Sequence, residues 1–200
     1  MRIIAGKFRG RKLKSPPTLQ TRPTSDRLRE TLFNILAPRI AGARFLDLCA
    51  GTGAVGIEAL SRGAAQITFV DQSGKMCALI EANLGPLGVD ENKIEIVKAE
   101  AFEFLRGGEW NLNEPSLTVG LLPRSRPFDI IFFDPPYAAD YDVVLDYIGQ
   151  QAAELLAEAG VLIVEHDSKK ELRDNAGKIK RYRVVKQGDS SLSFYRIGAQ

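Results

Sequence analysis

A chain of 200 residues, 44% hydrophobic and 26% charged, has the composition of a soluble globular protein and can bury a core without a disulfide or metal staple. Cys49 and Cys77 are its two cysteines and form no CxxC pair, which excludes a structural zinc site or a disulfide framework. No apolar stretch approaches the length of a membrane span, and no apolar h-region follows the basic start, so we expect a cytoplasmic protein.

The net charge of +2 conceals an uneven distribution. Residues 1–44 hold eleven basic against two acidic side chains, and the remainder carries a net charge of −7. A basic arm on a mildly acidic body suggests a polyanionic partner such as nucleic acid, although a merely solvated tail would have the same composition.

The first 44 residues form an N-terminal extension. Glycines interrupt the basic and apolar residues of 1–17, which predicts a short β-hairpin or ribbon rather than a helix. A helix then opens with Thr24 or Ser25 as N-cap and Asp26 in its first turn. Its apolar stripe, which we expect to dock on the core, consists of Leu28, Leu32, Ile35 and Leu36. Pro38 ends this helix.

From residue 45 onward, strands alternate with helices, which predicts a mostly parallel sheet covered on both faces. The predicted strands are 45–48, 67–71, 94–97, 129–133 and 161–164, followed by an antiparallel pair at 181–185 and 192–196. The predicted helices end near Ser61, near Leu84, at 106 and at 157. We interpret the whole chain, 1–200, as one domain with its core at 45–200, and leave the role of loop 107–127 open.

A glycine-rich turn, 47–56, joins the first strand to its helix. Gly51, Gly53 and Gly56 satisfy GxGxxG, and Asp71 ends the second strand, where an acid that binds ribose is expected. Asp47 lies four residues before the first of these glycines; an extra carboxylate disfavours a pyrophosphate but suits a cofactor with a cationic amino-acid end, such as S-adenosylmethionine. Asp47 could equally cap the amides of the loop.

The tetrapeptide Asp134-Pro135-Pro136-Tyr137 follows an apolar strand at the edge where open α/β sheets bind ligands. The Asp134 carboxylate and the Pro135 carbonyl can each accept one N–H of an exocyclic purine amine, and Tyr137 can stack on the base. This arrangement predicts amino methylation through alignment rather than through a strong base.

At this point the sequence resembles the class I S-adenosylmethionine-dependent methyltransferases with a DPPY motif. It is most similar to the bacterial 16S rRNA guanine-N2 methyltransferases (the RsmD family). The resemblance rests on MRIIAGKFRGRKLKSP, TRPTSDRLRETLFNIL, FLDLCAGTGAVGIEALSRGA, ITFVDQS, DPPY and GDSSLSFYR.

The resemblance implies a Rossmann-like, seven-stranded sheet with one antiparallel strand, preceded by the basic ribbon and helix. It implies methylation of the N2 amine of one guanine in 16S rRNA, presented within a small-subunit particle, with no metal. By position, Asp47, Gly51 and Gly53 hold the methionine part of the cofactor and Asp71 holds the ribose. Glu100 and Ala101 face the adenine, although Asp is more usual than Glu100 in the family.

The basic arm then becomes a candidate RNA-binding surface, whose contacts supply affinity and register rather than base identity. The candidate residues are Arg9, Arg11, Lys12, Lys14, Arg22, Arg27 and Arg29. His166, the single histidine, is interpreted as a loop residue after the fifth strand without a catalytic role. The oligomeric state is open, with a monomer as the simpler expectation.

Two other functions compete with this hypothesis. An adenine-N6 methyltransferase acting on DNA or RNA would use the same carboxylate, because both amines suit Asp134. A nicotinamide dinucleotide-binding oxidoreductase, or a nucleotide-binding module without chemistry, would account for the glycine loop alone.

Overall fold

The computed structural model describes residues 1–16, 25–107, 127–136 and 140–198. Within these ranges the chain forms six α-helices and eight β-strands. The helices are α1 (Asp26–Leu36), α2 (Ala54–Ser61), α3 (Gly74–Leu84), α4 (Ala101–Leu105), α5 (Tyr141–Gln150) and α6 (Ala152–Leu155). The strands are β1 (Arg44–Leu48), β2 (Gln66–Asp71), β3 (Ile94–Lys98), β4 (Phe128–Phe133), β5 (Leu156–Asp167), β6 (Asn175–Ala176), β7 (Ile179–Gln187) and β8 (Ser190–Ile197).

All eight strands belong to one sheet with the order β3-β2-β1-β4-β5-β8-β7-β6. Strands β1 to β5 pair in parallel, whereas β8 runs antiparallel to both β5 and β7. The α/β fold class with a mostly parallel sheet is therefore confirmed. The strand count of seven is corrected to eight, because the short strand β6 pairs antiparallel with the start of β7 and thereby adds a second reversed strand.

The N-terminal segment folds back on itself, but it is less regular than a ribbon. Among the described residues of this N-terminal segment, one antiparallel bridge forms, between Arg2 and Lys12. Turns at Gly6 and Gly10, both with positive φ, occupy the space between them. Ile3 is buried, and its carbonyl accepts a hydrogen bond from the Gly10 amide at 2.9 Å, within this turn. The glycine spacing therefore predicted the reversal and overestimated the strand content.

Helix α1 begins as its cap residues predict. The Ser25 hydroxyl accepts a hydrogen bond from the Leu28 amide at 3.1 Å, which satisfies one of the unpaired amides of the first turn. Leu28, Leu32 and Leu36 are fully buried, and the helix ends at Leu36, two residues before Pro38. One face of α1 is therefore fixed to the core.

Successive residues of the central strands point to opposite faces of the sheet and enter two separate cores. Phe45, on β1, packs into the core formed with the N-terminal segment and helices α1 to α3. Leu46, its neighbour, packs into the core formed with α4 and α5. The burial of both faces explains why these strands are continuously apolar rather than alternating.

The segment between β4 and β5 departs from the predicted pattern. A helix over 141–157 was expected, but α5 ends at Gln150, α6 at Leu155, and β5 already begins at Leu156. Strand β5 extends to Asp167 and therefore contains His166, which is buried. The prediction that His166 lies in a loop was wrong. Periodicity alone does not locate the boundary, because apolar residues suit a buried helix and a buried strand equally.

Candidate active site

The carboxyl ends of β1 to β4 meet at one edge of the sheet, where the strand order reverses between β1 and β4. Such a reversal opens the crevice in which α/β proteins bind ligands. Leu48 at the end of β1 lies beside Phe133 at the end of β4 and beside Val70 of β2. The residues that follow these strands therefore face one crevice.

The glycine loop after β1 has a backbone conformation that requires small residues. Its φ angles are 61° at Cys49, 54° at Gly51 and 74° at Gly53, all in the left-handed region. Glycine adopts this region without steric cost, whereas Cys49 is an uncommon occupant of it. The Ala50 amide donates to the Val70 carbonyl at 3.0 Å, which fixes the loop against β2.

Gly56 has a different function from the other two glycines. It lies in α2, and a Cβ at this position would lie 2.3 Å from a ring carbon of Phe69 on β2. The residue must therefore be glycine for α2 to pack this closely on the sheet. Its amide also donates to the Oδ2 atom of Asp47 at 2.9 Å.

Asp47 is a buried carboxyl group within β1. It is 2% exposed, and its bond to Gly56 ties the strand to α2. Burial, moderated by that bond and reinforced by the charge of Asp71, raises the pKa of Asp47 to about 8. One carboxylate oxygen is therefore bonded to the first turn of α2, at the end of the glycine-rich turn.

Asp71, at the end of β2, also holds the loop. Its Oδ2 atom accepts from the Gly51 amide and its Oδ1 atom from the Ser73 amide, both at 2.8 Å. Burial raises the pKa of Asp71, and these two hydrogen bonds oppose the rise. An ionised carboxylate has about four acceptor positions, so two remain for ribose hydroxyls.

Glu100 and Ala101 lie after β3. Glu100 is the N-cap of α4, and its Oε2 atom accepts from the amides of Phe102 and Glu103 at 2.8 and 3.0 Å. Glu100 is exposed and Ala101 is buried. The side chain therefore starts a helix at the crevice, and the glutamate supplies the same cap that an aspartate would.

Asp134 and Pro135 follow β4 directly. The Asp134 amide donates to the Leu48 carbonyl at 3.3 Å, which places this residue beside the start of the glycine loop. Asp134 is half-buried and Pro135 is buried. Tyr137, the predicted stacking residue, lies outside the described residues.

The Cys49 side chain shows that the predicted carboxylates converge. Burial raises the pKa of its thiol, and the charges of Asp71, Asp134, Glu100 and Asp47 raise it further, in that order. Residues from the ends of four different strands therefore act on one atom. Asp71, Glu100 and Asp134 therefore make the crevice acidic, which favours a cationic ligand over a phosphate.

The predicted RNA-binding residues divide into two groups. Arg9, Lys12, Lys14 and Arg27 are exposed. Arg11 is exposed as well, but its guanidinium donates to the Pro86 carbonyl at 2.7 Å. Arg22 lies outside the described residues.

Arg29 does not fit the RNA-binding prediction. Its side chain is fully buried and donates to the Arg2 carbonyl at 2.6 Å and to Asp26 at 2.9 Å. Its Nε atom lies 3.9 Å from a carboxylate oxygen of Glu58. A guanidinium committed in this way stabilises the junction between the arm and α1 and is not accessible to phosphate.

Three polar residues that the sequence reasoning missed attach the arm to the core. The buried Glu58 carboxylate accepts from the amides of Ile4 and Ala5 at 2.8 and 3.0 Å. Ser61 accepts from the Phe8 amide at 3.0 Å. The available signal was that both are polar residues within the otherwise apolar sequence of α2.

The third residue, Asn83, connects the arm to the glycine loop. Its Oδ1 atom accepts from the Lys14 amide at 2.7 Å, and its Nδ2 group donates to the carbonyls of Lys14 and Thr52 at 3.2 and 3.1 Å. The basic arm is therefore held next to the glycine loop.

His166 lies near the carboxyl end of β5, the parallel neighbour of β4. The ring nitrogens of His166 contact the Ser193 hydroxyl and the Asp167 carbonyl, both at 2.9 Å, and burial lowers the pKa of the ring. Across the part of the chain that the structure describes, no cluster of three His, Cys, Asp or Glu residues could hold a metal ion. In the same ranges, no helix has the length and apolar character needed to cross a membrane.

Comparison with known sequences identifies relatives over the full length of the chain. A chain from Bacillus subtilis, described as a putative rRNA methyltransferase, is 32% identical over 197 residues, which cover 98% of either sequence. A Haemophilus influenzae protein named ribosomal RNA small subunit methyltransferase D is 35% identical over 159 residues, 79% of this chain and 71% of that protein. The namesake from Escherichia coli is 39% identical over 137 residues, 68% of this chain and 60% of that protein.

Comparison with solved structures also identifies a methyltransferase. A solved structure of a putative methyltransferase from Escherichia coli superposes with a TM-score of 0.79 at 32% identity, covering 100% of this chain and 99% of that one. The family described as conserved hypothetical protein 95 matches residues 1–196. The chain therefore belongs to this family, the family of the ribosomal RNA small subunit methyltransferases D that its motifs predicted.

Proposed function

We propose that this chain is a single-domain, cytoplasmic enzyme that transfers the methyl group of S-adenosylmethionine to the N2 amine of a guanine in small-subunit rRNA. The observation that carries the proposal is geometric: the glycine loop, Asp71, Glu100 and Asp134 follow four adjacent parallel strands at one edge of the sheet. Asp71 accepts from the loop at Gly51, and the Asp134 amide donates to Leu48 at the start of the loop. rRNA methylation is the activity given in the names of the relatives.

The negative crevice suits the cofactor, whose α-ammonium and sulfonium groups are both positive. Asp71 would accept the ribose hydroxyls, Glu100 the adenine amine, and the amides of the loop at Gly51 and Gly53 would surround the methionine part. Asp47 would act as a positioning residue, since its carboxyl group already holds Gly56. When bound, the cofactor supplies an electrophilic methyl carbon.

Asp134 and Pro135 would hold the target amine. The lone pair of a guanine amine is delocalised into the ring, so the amine must be oriented before it can attack. Two acceptors, the Asp134 carboxylate and the Pro135 carbonyl, fix both N–H bonds and aim the lone pair. The N–C bond forms as the S–C bond breaks, the electron pair stays on sulfur, and the nitrogen then releases one proton. Alignment and the local negative field stabilise the positive charge on nitrogen.

The basic arm would bind the RNA backbone. Arg9, Lys12, Lys14 and Arg27 are exposed, and Asn83 holds the arm against the glycine loop, so phosphate contacts and the reacting amine lie on one side of the protein. Such contacts contribute affinity and register, while the crevice selects the amine.

Methyl transfer from labelled cofactor to unmodified small subunits, with naked rRNA in parallel, tests this proposal. Digestion of the product to nucleosides should yield labelled N2-methylguanosine. N6-methyladenosine would contradict the substrate and favour the adenine enzyme. Calorimetry tests the cofactor separately, because tight binding of NAD(H) without binding of S-adenosylhomocysteine would favour the oxidoreductase.

A further inference from the structure

A second concentration of positive charge lies at the other end of the chain. Residues 175–198 contain six basic side chains and one acidic side chain, whereas residues 45–174 contain ten basic and 22 acidic ones. The basic residues are Lys178, Lys180, Arg181, Arg183, Lys186 and Arg196. The acidic body is therefore flanked by two basic segments, the N-terminal arm and the β7–β8 hairpin.

Five of these six cations are exposed. Arg181 is half-buried and binds the Asp174 carboxylate, which lies outside the hairpin. Lys180 and Arg196 are direct cross-strand partners, an arrangement of like charges that destabilises a sheet. An anion bound between them would relieve this repulsion.

An exposed aromatic group lies among the cations. Tyr182 is 42% exposed. The Arg196 guanidinium lies 5.3 Å from the centre of the Tyr182 ring, and Arg183 lies 5.9 Å from that of Phe194. Arginines next to an exposed ring are a combination that binds nucleic acid, because phosphates pair with the cations and bases stack on the ring.

Protection of an exposed strand edge is the competing explanation. Strand β6 pairs only with Ile179 and Lys180 of β7, so the rest of β7 has no outer strand partner in the described chain. Lysines on an edge prevent pairing with other chains. Edge protection, however, does not require an exposed tyrosine in contact with the cations, as Tyr182 is with Arg196.

The hairpin and the arm lie on the same face of the molecule. The Thr31 hydroxyl of α1 donates to the Gln187 side chain at 3.1 Å, and Phe194 belongs to the same core as Ile3 and Phe8 of the arm. β7 is three strands from β4, about 14 Å across the sheet, and Lys180 and Arg196 lie level with Ile130, about 13 Å along the strands from Asp134. One folded RNA could therefore contact the arm, the hairpin and the crevice together.

We propose that the exposed face of the β7–β8 hairpin, formed by Lys180, Tyr182, Arg183 and Arg196, is a second binding surface for the RNA substrate. The proposal rests on the proposed function for its ligand. It extends the RNA contact from the N-terminal arm across α1 to the far edge of the sheet.

The test compares two double variants that remove equal charge. Arg183→Ala with Arg196→Ala changes the hairpin, and Lys93→Ala with Arg106→Ala changes exposed cations elsewhere. Binding to naked 16S rRNA is measured over a series of salt concentrations, and binding of S-adenosylhomocysteine is measured by calorimetry. Loss of two phosphate contacts should reduce the salt slope by about 1.4 to 1.8 and weaken binding at least about tenfold at 0.1 M salt. Cofactor affinity should not change.

A second variant guards against an effect on folding, since both arginines touch aromatic rings. Lys180→Ala, which removes one cation from the same face, should reduce the salt slope by about 0.7 to 0.9. Slopes and affinities equal to those of the control pair in both variants would overturn the proposal. Weaker binding to subunits with unchanged binding to naked rRNA would also overturn it, because the partner would then be a protein.

Failure of this proposal is distinct from failure of the proposed function. Wild-type protein that binds rRNA through this face yet methylates no rRNA would contradict the proposed function and support the surface. A hairpin variant that methylates rRNA and binds it with unaltered affinity would support the proposed function and contradict the second surface.

Discussion

Replacing Asp47 with asparagine should change how the stability of the fold depends on pH. Burial raises the pKa of Asp47 from 3.8 to about 8, so the folded protein keeps this carboxyl group protonated at neutral pH. The unfolded chain releases the proton near pH 4. The folded state therefore binds more protons than the unfolded state between about pH 4 and 8, and stability falls as the pH rises through this window.

The magnitude follows from the width of the window. Each pH unit inside it costs about 1.4 kcal/mol, so the wild type should lose about 2.5 kcal/mol between pH 5 and pH 7 through this group alone. Asparagine is isosteric, retains an acceptor for the Gly56 amide, and does not titrate. The free energy of unfolding of Asp47→Asn should therefore fall less over the same range.

Urea unfolding of both proteins at half-unit steps from pH 5 to pH 8 measures this difference. The difference in unfolding free energy between variant and wild type should grow in favour of the variant as the pH rises, and level off near pH 8. Parallel profiles would refute the reasoning, because they would mean that Asp47 is ionised in the folded protein. Asp90→Asn, which changes an exposed carboxylate, is the control and should leave the profile unaltered.

Three further substitutions test the packing and the arm. Gly56→Ala should destabilise the protein by about 1–3 kcal/mol and lower its Tm, because the new methyl group would meet a β2 ring, whereas Gly74→Ala, with open contacts, should have little effect. Glu58→Gln should speed amide hydrogen exchange in residues 3–13, since one buried acceptor oxygen is lost; unchanged exchange would mean that the arm is held by other contacts. Arg9→Ala with Lys12→Ala should reduce the salt slope of rRNA binding by about 1.4 to 1.8, and an equal slope would show that the arm does not reach phosphate.

The sequence was informative about the crevice because its signals are local. A glycine loop, an acid at the end of the next strand and a DPPY segment each follow an apolar strand, and parallel strands bring their carboxyl ends to one edge. The relative positions of Asp71, Asp134 and the loop could therefore be predicted without coordinates. Helix α1 was predictable for the same reason, since Ser25 caps it locally.

The contacts of the arm were not predictable in the same way, because they join residues far apart in the chain. Arg29 has the same charge as Arg27, two residues away, and only the tertiary fold shows that one is buried and the other exposed. Glu58 and Asn83 bind backbone amides of the arm, and backbone groups leave no mark in the sequence. Whether a charged residue such as Arg29 is buried can therefore be established only from the structure.

The role of Asp47 was left open by the sequence for a related reason. An acid at the end of a strand can face a ligand or the loop that covers it, and both have the same local pattern. The structure adds that one carboxylate oxygen accepts from the Gly56 amide, a contact that the local sequence pattern does not reveal. The positive charge of the β7–β8 hairpin was missed for another reason. The net charge was taken over all residues after 44, in which the acidic residues before the hairpin outnumber its cations.

The central claim is that Asp134 binds the target amine and not the cofactor. The most direct measurement is of Asp134→Ala by two methods, calorimetry with S-adenosylhomocysteine and methyl transfer to small subunits, with Asp90→Ala as the control. Turnover should fall at least about a hundredfold, because an acceptor that orients the amine is lost, while cofactor affinity stays within about twofold of wild type. Loss of cofactor binding in parallel with turnover, or retention of full turnover, would contradict the account.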